Sequence, residues 1–210
     1  CSRELMRGAG DLSERYGLHV QTHIAENRAE IEAVRQAFPE ATDYLGVYAD
    51  HGLVTDRTLL AHCVWFDDPT WDRYALTGGA ISHCPDSNFF LGSGVMNLDA
   101  PCQREIPVGL GSDVGAGRTF SMRRVVSSAY DAAQVSGAKV SAESLLWHAT
   151  RGGAIAMGMA TDVGCLEPGF NADVIAIRAP ELTGSALFDF LSFYRDAGPV
   201  MACYVKGRRV

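Results

Sequence analysis

The chain has 210 residues, 47% hydrophobic and 20% charged; this globular composition supports a sizeable core and excludes disordered, collagen-like and coiled-coil proteins. Its net charge of -7, from 25 acidic and 18 basic side chains, argues against nucleic acid or an anionic membrane surface as the main partner. No apolar run approaches the roughly 20 residues of a membrane span, and the first residues lack a signal-peptide layout, so we expect a soluble, cytoplasmic protein.

The first predicted element is a helix over 2–17, with Ser2 as its candidate cap. Strand-sized apolar runs then recur, each preceded by a Gly, Pro, Asp or Thr break; they cover 18–24, 58–66, 79–85 and 106–113. Helical spacing of apolar residues predicts further helices, the second of them more weakly, over 27–38, 71–78, 121–137 and 141–159. Near-continuous apolar strands that alternate with helices indicate a parallel α/β sheet.

The pattern changes towards the end of the chain. Residues 164–180 read as a Gly/Pro turn followed by a β-branched strand, and 200–210 read as a strand with a Lys-Gly turn. We therefore predict an α/β unit over 1–160 and part of a small β domain over 161–210. The six cysteines are scattered without a C-x-x-C pair, which predicts neither a disulfide framework nor a thiolate zinc site.

Polar side chains stand at the carboxyl ends of the four predicted strands, where parallel α/β folds gather their catalytic groups: His23, His62, His83 and Asp113. Each has a plainer interpretation, because a strand histidine is more often a hydrogen-bonded core residue and an Asp before a helix is often an N-cap. Their occurrence at successive strand ends favours a shared site.

Imidazole and carboxylate groups suit a divalent cation such as zinc or iron, with a position left open for water. Glu26 follows His23 closely, and a carboxylate there can relay a proton between water and substrate; the alternative is a first-turn helix residue. A di-iron helical bundle is disfavoured because His23 ends a strand and no second H-x-x-E pair occurs. The small zinc deaminases are disfavoured because their P-C-x-x-C segment is missing.

Four motifs together resemble the metal-dependent amidohydrolase superfamily of (β/α)8 barrels, and within it the guanine deaminase family: HIAE (23–26), AHC (61–63), SHCPDSN (82–88) and GLGSDVGAG (109–117). The stretches GCLEPGFNADVIAI (164–177) and YVKGRRV (204–210) resemble the superfamily's C-terminal β segment. The resemblance implies an α/β fold made of the C-terminal half of a TIM-type barrel, strands five to eight, plus part of a small β-sandwich domain.

The resemblance also implies roles for individual residues. His23, from the fifth strand, is expected to bind the metal and face the substrate, and Glu26 to shuttle protons and touch the purine ring. His62, from the sixth strand, is expected to bind the metal or to orient the attacking water. Asp113, after the eighth strand, is expected to bind the metal, contact the substrate and act as a base. Catalysis is thus assigned to Glu26, His62 and Asp113.

Four further side chains have less definite expectations. His83 and Asn88 belong to a loop after the seventh strand, with either a pocket or a structural role. His51 and His148 fall outside the motifs and are expected to be surface or core residues.

The implied reaction is the zinc-dependent, or alternatively Fe²⁺-dependent, hydrolysis of a small-molecule purine, guanine, to xanthine and ammonia by a homodimer. The superfamily's first-strand H-x-H pair is absent, and four strand-helix units stand where a barrel has eight. We therefore expect a C-terminal half that is inactive alone. Two alternatives stay open: an amidohydrolase acting on 8-oxoguanine, another aminopurine or a triazine, and a non-catalytic half-barrel that needs a partner.

Overall fold

A parallel sheet forms the centre of the computed structural model, which describes residues 1–194 and 198–210. Its four strands lie in chain order: β1 (Val20–Ile24), β2 (Thr58–His62), β3 (Ala80–His83) and β4 (Val108–Leu110). The register pairs His23 with Ala61, Ala61 with Ser82, and Ser82 with Gly109, so the carboxyl ends of the strands meet at one edge. The predicted parallel α/β sheet is confirmed.

Helices precede, connect and follow these four strands, in the order of a β/α barrel. They are α1 (Arg3–Tyr16), α2 (Arg28–Ala37), α3 (Tyr44–Ala49), α4 (Asp68–Ala75), α5 (Pro85–Leu91), α6 (Asp99–Cys102), α7 (Met122–Ser136), α8 (Ala142–Trp147), α9 (Gly153–Ala156) and α10 (Ser185–Phe193). The predicted cap is confirmed, since the Ser2 hydroxyl accepts a hydrogen bond from Leu5 N at 3.2 Å.

Two helix predictions differ from the structure. The single helix predicted over 141–159 is interrupted by a π-helical turn at His148–Gly152, which separates α8 from α9. The helix predicted over 71–78 is observed as α4, which starts earlier because Asp67 caps it and a proline occupies its first turn.

The loop expected after the seventh barrel strand follows β3, and it is largely helical. Helix α5 starts at Pro85 and ends at Leu91, and its C-cap, Gly92, adopts a left-handed conformation with φ of 69°. Its apolar residues Phe89, Phe90 and Leu91 are contiguous and remain exposed. Because this arrangement has no helical period, hydrophobic spacing gave no sign of a helix.

The core lies between the sheet and the surrounding helices. Ile24, Leu60, Ile81 and Val108, one from each strand, are fully buried and pack in one cluster with Leu145 of α8. Within the described residues, no helix combines the length and the apolar character needed to cross a membrane.

Tyr74 ties helix α4 to two strands. The single proton of its buried hydroxyl is shared between the carbonyl oxygens of Thr58 at 2.9 Å and Ala80 at 2.8 Å. Replacing it by phenylalanine keeps the ring but removes this donor, so we expect the free energy of unfolding to fall by about 1–2 kcal/mol. Urea denaturation measures this loss, with Tyr16→Phe, at a 60% exposed position, as the control. Equal stability of the two variants would contradict the prediction.

A second, antiparallel sheet follows the α/β unit. It consists of β5 (Val174–Ile177), β6 (Val200–Val205) and β7 (Arg208–Arg209). Lys206 and Gly207 join β6 to β7 with φ angles of 49° and 74°, the backbone of a type I′ hairpin turn. Both strands predicted for the small β unit are confirmed.

Helix α10 lies within the predicted second domain but contacts the first. The Arg123 guanidinium of α7 donates to the carbonyls of Phe190 and Leu191, and the rings of Tyr130 and Phe193 lie 4.8 Å apart. Because these contacts join the two predicted domains, the boundary between residues 160 and 161 stays a prediction.

Candidate metal and proton-transfer site

Three of the predicted ligands meet at the carboxyl edge of the parallel sheet. His23 lies in β1, His62 ends β2, and Asp113 lies in the loop after β4. Each offers one ligand atom, and these atoms all lie within 4.8 Å of one another. Atoms bound to one cation at about 2.1 Å lie roughly 3–4 Å apart, so the group can enclose a metal ion after small side-chain movements.

His62 is oriented by a buried hydrogen bond. Its Nδ1 lies 2.8 Å from Oδ1 of Asn88, and this contact orients the ring. Nε2 faces the site, 3.8 Å from Oε2 of Glu26 and 3.9 Å from Oδ2 of Asp113. An imidazole that donates from Nδ1 to such a partner has Nε2 available to bind a metal.

The backbone at the strand ends adopts sparsely populated conformations. Positive φ angles occur at Ala25 (48°), His62 (72°), Cys63 (50°) and Asp113 (48°), none of which is glycine. Such conformations persist only where the surrounding structure enforces them, and they are typical of functional sites. Here they turn the chain sharply at the point where the site residues leave the strands.

Glu26 lies between β1 and α2, before the helix begins. Asn27 is the N-cap of α2, and Glu30 completes the capping box, so another carboxylate fills the first-turn position considered for Glu26. Glu26 Oε1 accepts a 2.7 Å hydrogen bond from Ser93 Oγ, and its other oxygen faces His62. The carboxylate therefore points into the site.

His83 lies apart from the ligand group. It is buried, and neither ring nitrogen has a hydrogen-bond partner among the described residues. Burial lowers the pKa of His83 to about 3, with smaller effects from His148 and His62, so this imidazole is neutral. His51 and His148 are buried and each places Nδ1 near a backbone carbonyl, which makes them core residues.

Sequence reasoning missed an ion pair that supports the Asp113 loop. Asp86 of α5 is completely buried, and its carboxylate accepts hydrogen bonds from the Arg118 guanidinium at 2.6 and 3.3 Å and from Ser128 Oγ at 3.2 Å. The backbone N–H of Arg118 donates to it as well. Asp86 thus fixes the segment after β4 against α5 and α7. Asp86 lies in the SHCPDSN motif and Arg118 directly follows the GLGSDVGAG motif, but their pairing leaves no local sequence signal.

This pair predicts acid sensitivity. Burial raises the pKa of Asp86, but the hydrogen bonds from Arg118 outweigh it and hold that pKa at about 2, below the usual 3.8. Because the pKa of Asp86 is lower in the folded state, its ionised carboxylate stabilises the fold at pH values above the unfolded-state pKa. The free energy of unfolding should therefore fall by about 2 kcal/mol between about pH 4 and pH 2. Urea unfolding across this range should show the loss in the wild type and less of it in Asp86→Asn. If the wild type and Asp86→Asn lost equal stability over this pH range, the assignment of the acid sensitivity to Asp86 would be contradicted.

The chemistry of the donor set fits a divalent cation. Two imidazoles and one carboxylate are ligands that zinc and iron accept, and they leave further positions open. The Asn88 amide contacts Nδ1 of His62, and Glu26 lies beside the group without belonging to it. The described part of the chain therefore offers a partial metal site with an adjacent carboxylate.

Half of a (β/α)8 barrel, with two histidines and a carboxylate that could hold a metal ion at the carboxyl ends of its strands, defines the general class of this protein. A comparison with known families identifies the particular family. The chain belongs to the amidohydrolase family, whose match extends over residues 1–210.

Individual relatives narrow the comparison. The guanine deaminase of Escherichia coli K12 is 39% identical over 178 residues, which is 84% of this chain and 40% of that enzyme. The solved E. coli guanine deaminase superposes with a TM-score of 0.93 at 35% identity, covering 100% of this chain and 52% of that one. The C. acetobutylicum guanine deaminase, solved with guanine in its active site, gives a TM-score of 0.90 at 34% identity, covering 100% and 52%.

These comparisons confirm the resemblance predicted from the four motifs. They also give the extent of the match: the chain spans about half the length of the solved relatives.

Proposed function

We propose that the whole protein hydrolyses guanine to xanthine and ammonia, and that this chain supplies one side of the active site. The observation that carries the proposal is the convergence of His23, His62 and Asp113 within 4.8 Å, with the Glu26 carboxylate 3.8 Å from His62. The names of the relatives support guanine as the substrate. A homodimer and a cytoplasmic location remain expectations of the same proposal.

His23, His62 and Asp113 hold the cation, for which zinc is proposed and Fe²⁺ is the alternative. When bound, the cation supplies Lewis acidity, which makes water a competent nucleophile near neutral pH. The remaining ligands are proposed to be the H-x-H pair expected from the family, which does not occur in residues 1–210.

The proposed reaction uses two carboxylates to move the two protons of the attacking water. Asp113 and Glu26 both face Nε2 of His62, so both border the space where water and the amino-bearing ring carbon meet. The water oxygen bonds to this carbon while Glu26 transfers one proton from the water to the adjacent ring nitrogen. Asp113 transfers the other to the amino group, the carbon–nitrogen bond breaks, and ammonia leaves.

His23, Glu26 and Asp113 are also proposed to contact the purine. Their side chains are exposed or partly exposed at the sheet edge, whereas His62 is buried behind them. His62 therefore acts on the cation and the water rather than on the ring. The division into a barrel unit over 1–160 and a β unit over 161–210 belongs to the same proposal.

The test is an assay of the whole protein, loaded with zinc, against guanine. We expect stoichiometric formation of xanthine and ammonia that is lost when a chelator removes the cation. A panel of 8-oxoguanine, other aminopurines and triazines tests substrate choice. Faster turnover of any of these than of guanine would overturn the assignment, and no turnover of any member would overturn the enzymatic proposal.

A further inference from the structure

We propose that Ser93 is a positioning residue that fixes the Glu26 carboxylate for proton transfer. The inference deepens the proposed function and rests on it, because Glu26 is its proton shuttle. Ser93 lies after α5, far from Glu26 in sequence, and bonds to none of the three proposed metal ligands among the described contacts.

The contact between the two side chains is short and sheltered. Ser93 Oγ donates to Glu26 Oε1 at 2.7 Å, and Ser93 is only 6% exposed. Oε2 of the same carboxylate lies 3.8 Å from His62 Nε2. One oxygen is therefore anchored while the other faces the space between His62 and Asp113, so the hydrogen bond selects one rotation of the carboxylate.

Ser93 is itself held at both of its backbone polar groups. Its N–H donates to the carbonyl of Asn88 at 2.9 Å, and its carbonyl accepts from Nε1 of Trp65 at 2.9 Å. Gly94 follows with φ of 129°, and a Cβ there would lie 2.8 Å from Val64 and 2.9 Å from the Trp65 ring. This close packing leaves the Ser93 hydroxyl in a defined place.

Asn88 of α5 binds both His62 and Ser93. The side-chain oxygen of Asn88 binds His62 Nδ1, and its backbone oxygen binds the Ser93 N–H. A single turn of helix thereby sets the orientation of a proposed ligand and of the residue that anchors the proton shuttle. Such supporting hydrogen bonds are what hold catalytic groups in productive geometry.

The experiment is a double-mutant cycle in the zinc-loaded whole protein, measured with guanine. Ser93→Ala should lower kcat roughly 10-fold, with KM, zinc content and Tm close to wild type. In a Glu26→Gln background the same substitution should have little further effect, because its partner carboxylate has gone. Ser93→Thr, which keeps a hydroxyl, should retain more activity than Ser93→Ala.

Ser13→Ala is the matched control, since Ser13 is a buried serine of α1 whose hydroxyl donates to Leu18 O at 2.8 Å. It should leave kcat unchanged. An equal loss from Ser93→Ala in the wild-type and Glu26→Gln backgrounds would overturn the positioning role. If the wild type hydrolyses a different panel member, guanine fails as the substrate while the cycle with that compound still tests Ser93. If it hydrolyses none, both proposals fall.

Discussion

Replacing Asp113 by asparagine is expected to remove most of the bound cation and to lower guanine turnover by at least about 10³-fold. The substitution removes a charged ligand and a proton acceptor but keeps the shape of the side chain. It also suits the backbone, because Asp113 has φ of 48° and asparagine tolerates this left-handed region better than most residues. The loss should therefore come from chemistry rather than from misfolding.

Metal analysis and steady-state assays of the purified whole protein measure both effects. Asp131→Asn, at an exposed position on α7, provides a charge-matched control that should retain the cation and the activity. Full zinc occupancy in Asp113→Asn would show that Asp113 is not required as a ligand.

Replacing Glu26 by glutamine is expected to separate catalysis from metal binding. The variant loses the proton-carrying group, so kcat should fall by roughly 10²–10⁴-fold, the usual range for a general acid/base. Zinc content should stay near wild type because Glu26 does not belong to the three-residue ligand group. Glutamine keeps an oxygen that can accept the Ser93 hydrogen bond, so the local structure should be preserved.

Parallel measurements of zinc content, Tm and kcat test this separation. Glu14→Gln, at an exposed site on α1, is the matched control. Loss of zinc in Glu26→Gln would contradict the exclusion of Glu26 from the metal ligands, and an unchanged kcat would contradict its role in proton transfer.

The parallel sheet could be predicted because its signals are local. β2 and β3 are short, largely apolar runs, and burial on both faces explains why they lack polar alternation. Helix α5 and the π-helical turn at His148–Gly152 were missed, because exposed contiguous aromatic residues and an altered helical pitch leave no regular period.

The site was predictable to the extent that it follows from strand ends. His23, His62 and Asp113 converge because parallel strands in register bring their carboxyl ends together. Ser93 and the Asp86–Arg118 pair could not be found in this way. Their partners are distant in sequence, and the tertiary fold brings them into contact.

The convergence of these strand ends on one cation is the central claim, and anomalous diffraction from crystals of the zinc-loaded whole protein tests it most directly. We predict one zinc peak at about 2.0–2.2 Å from a ring nitrogen of His23, from Nε2 of His62 and from an Asp113 oxygen. Glu26 should lie beside the peak without binding it. A peak elsewhere, or one that Asp113 does not contact, would contradict the proposed site.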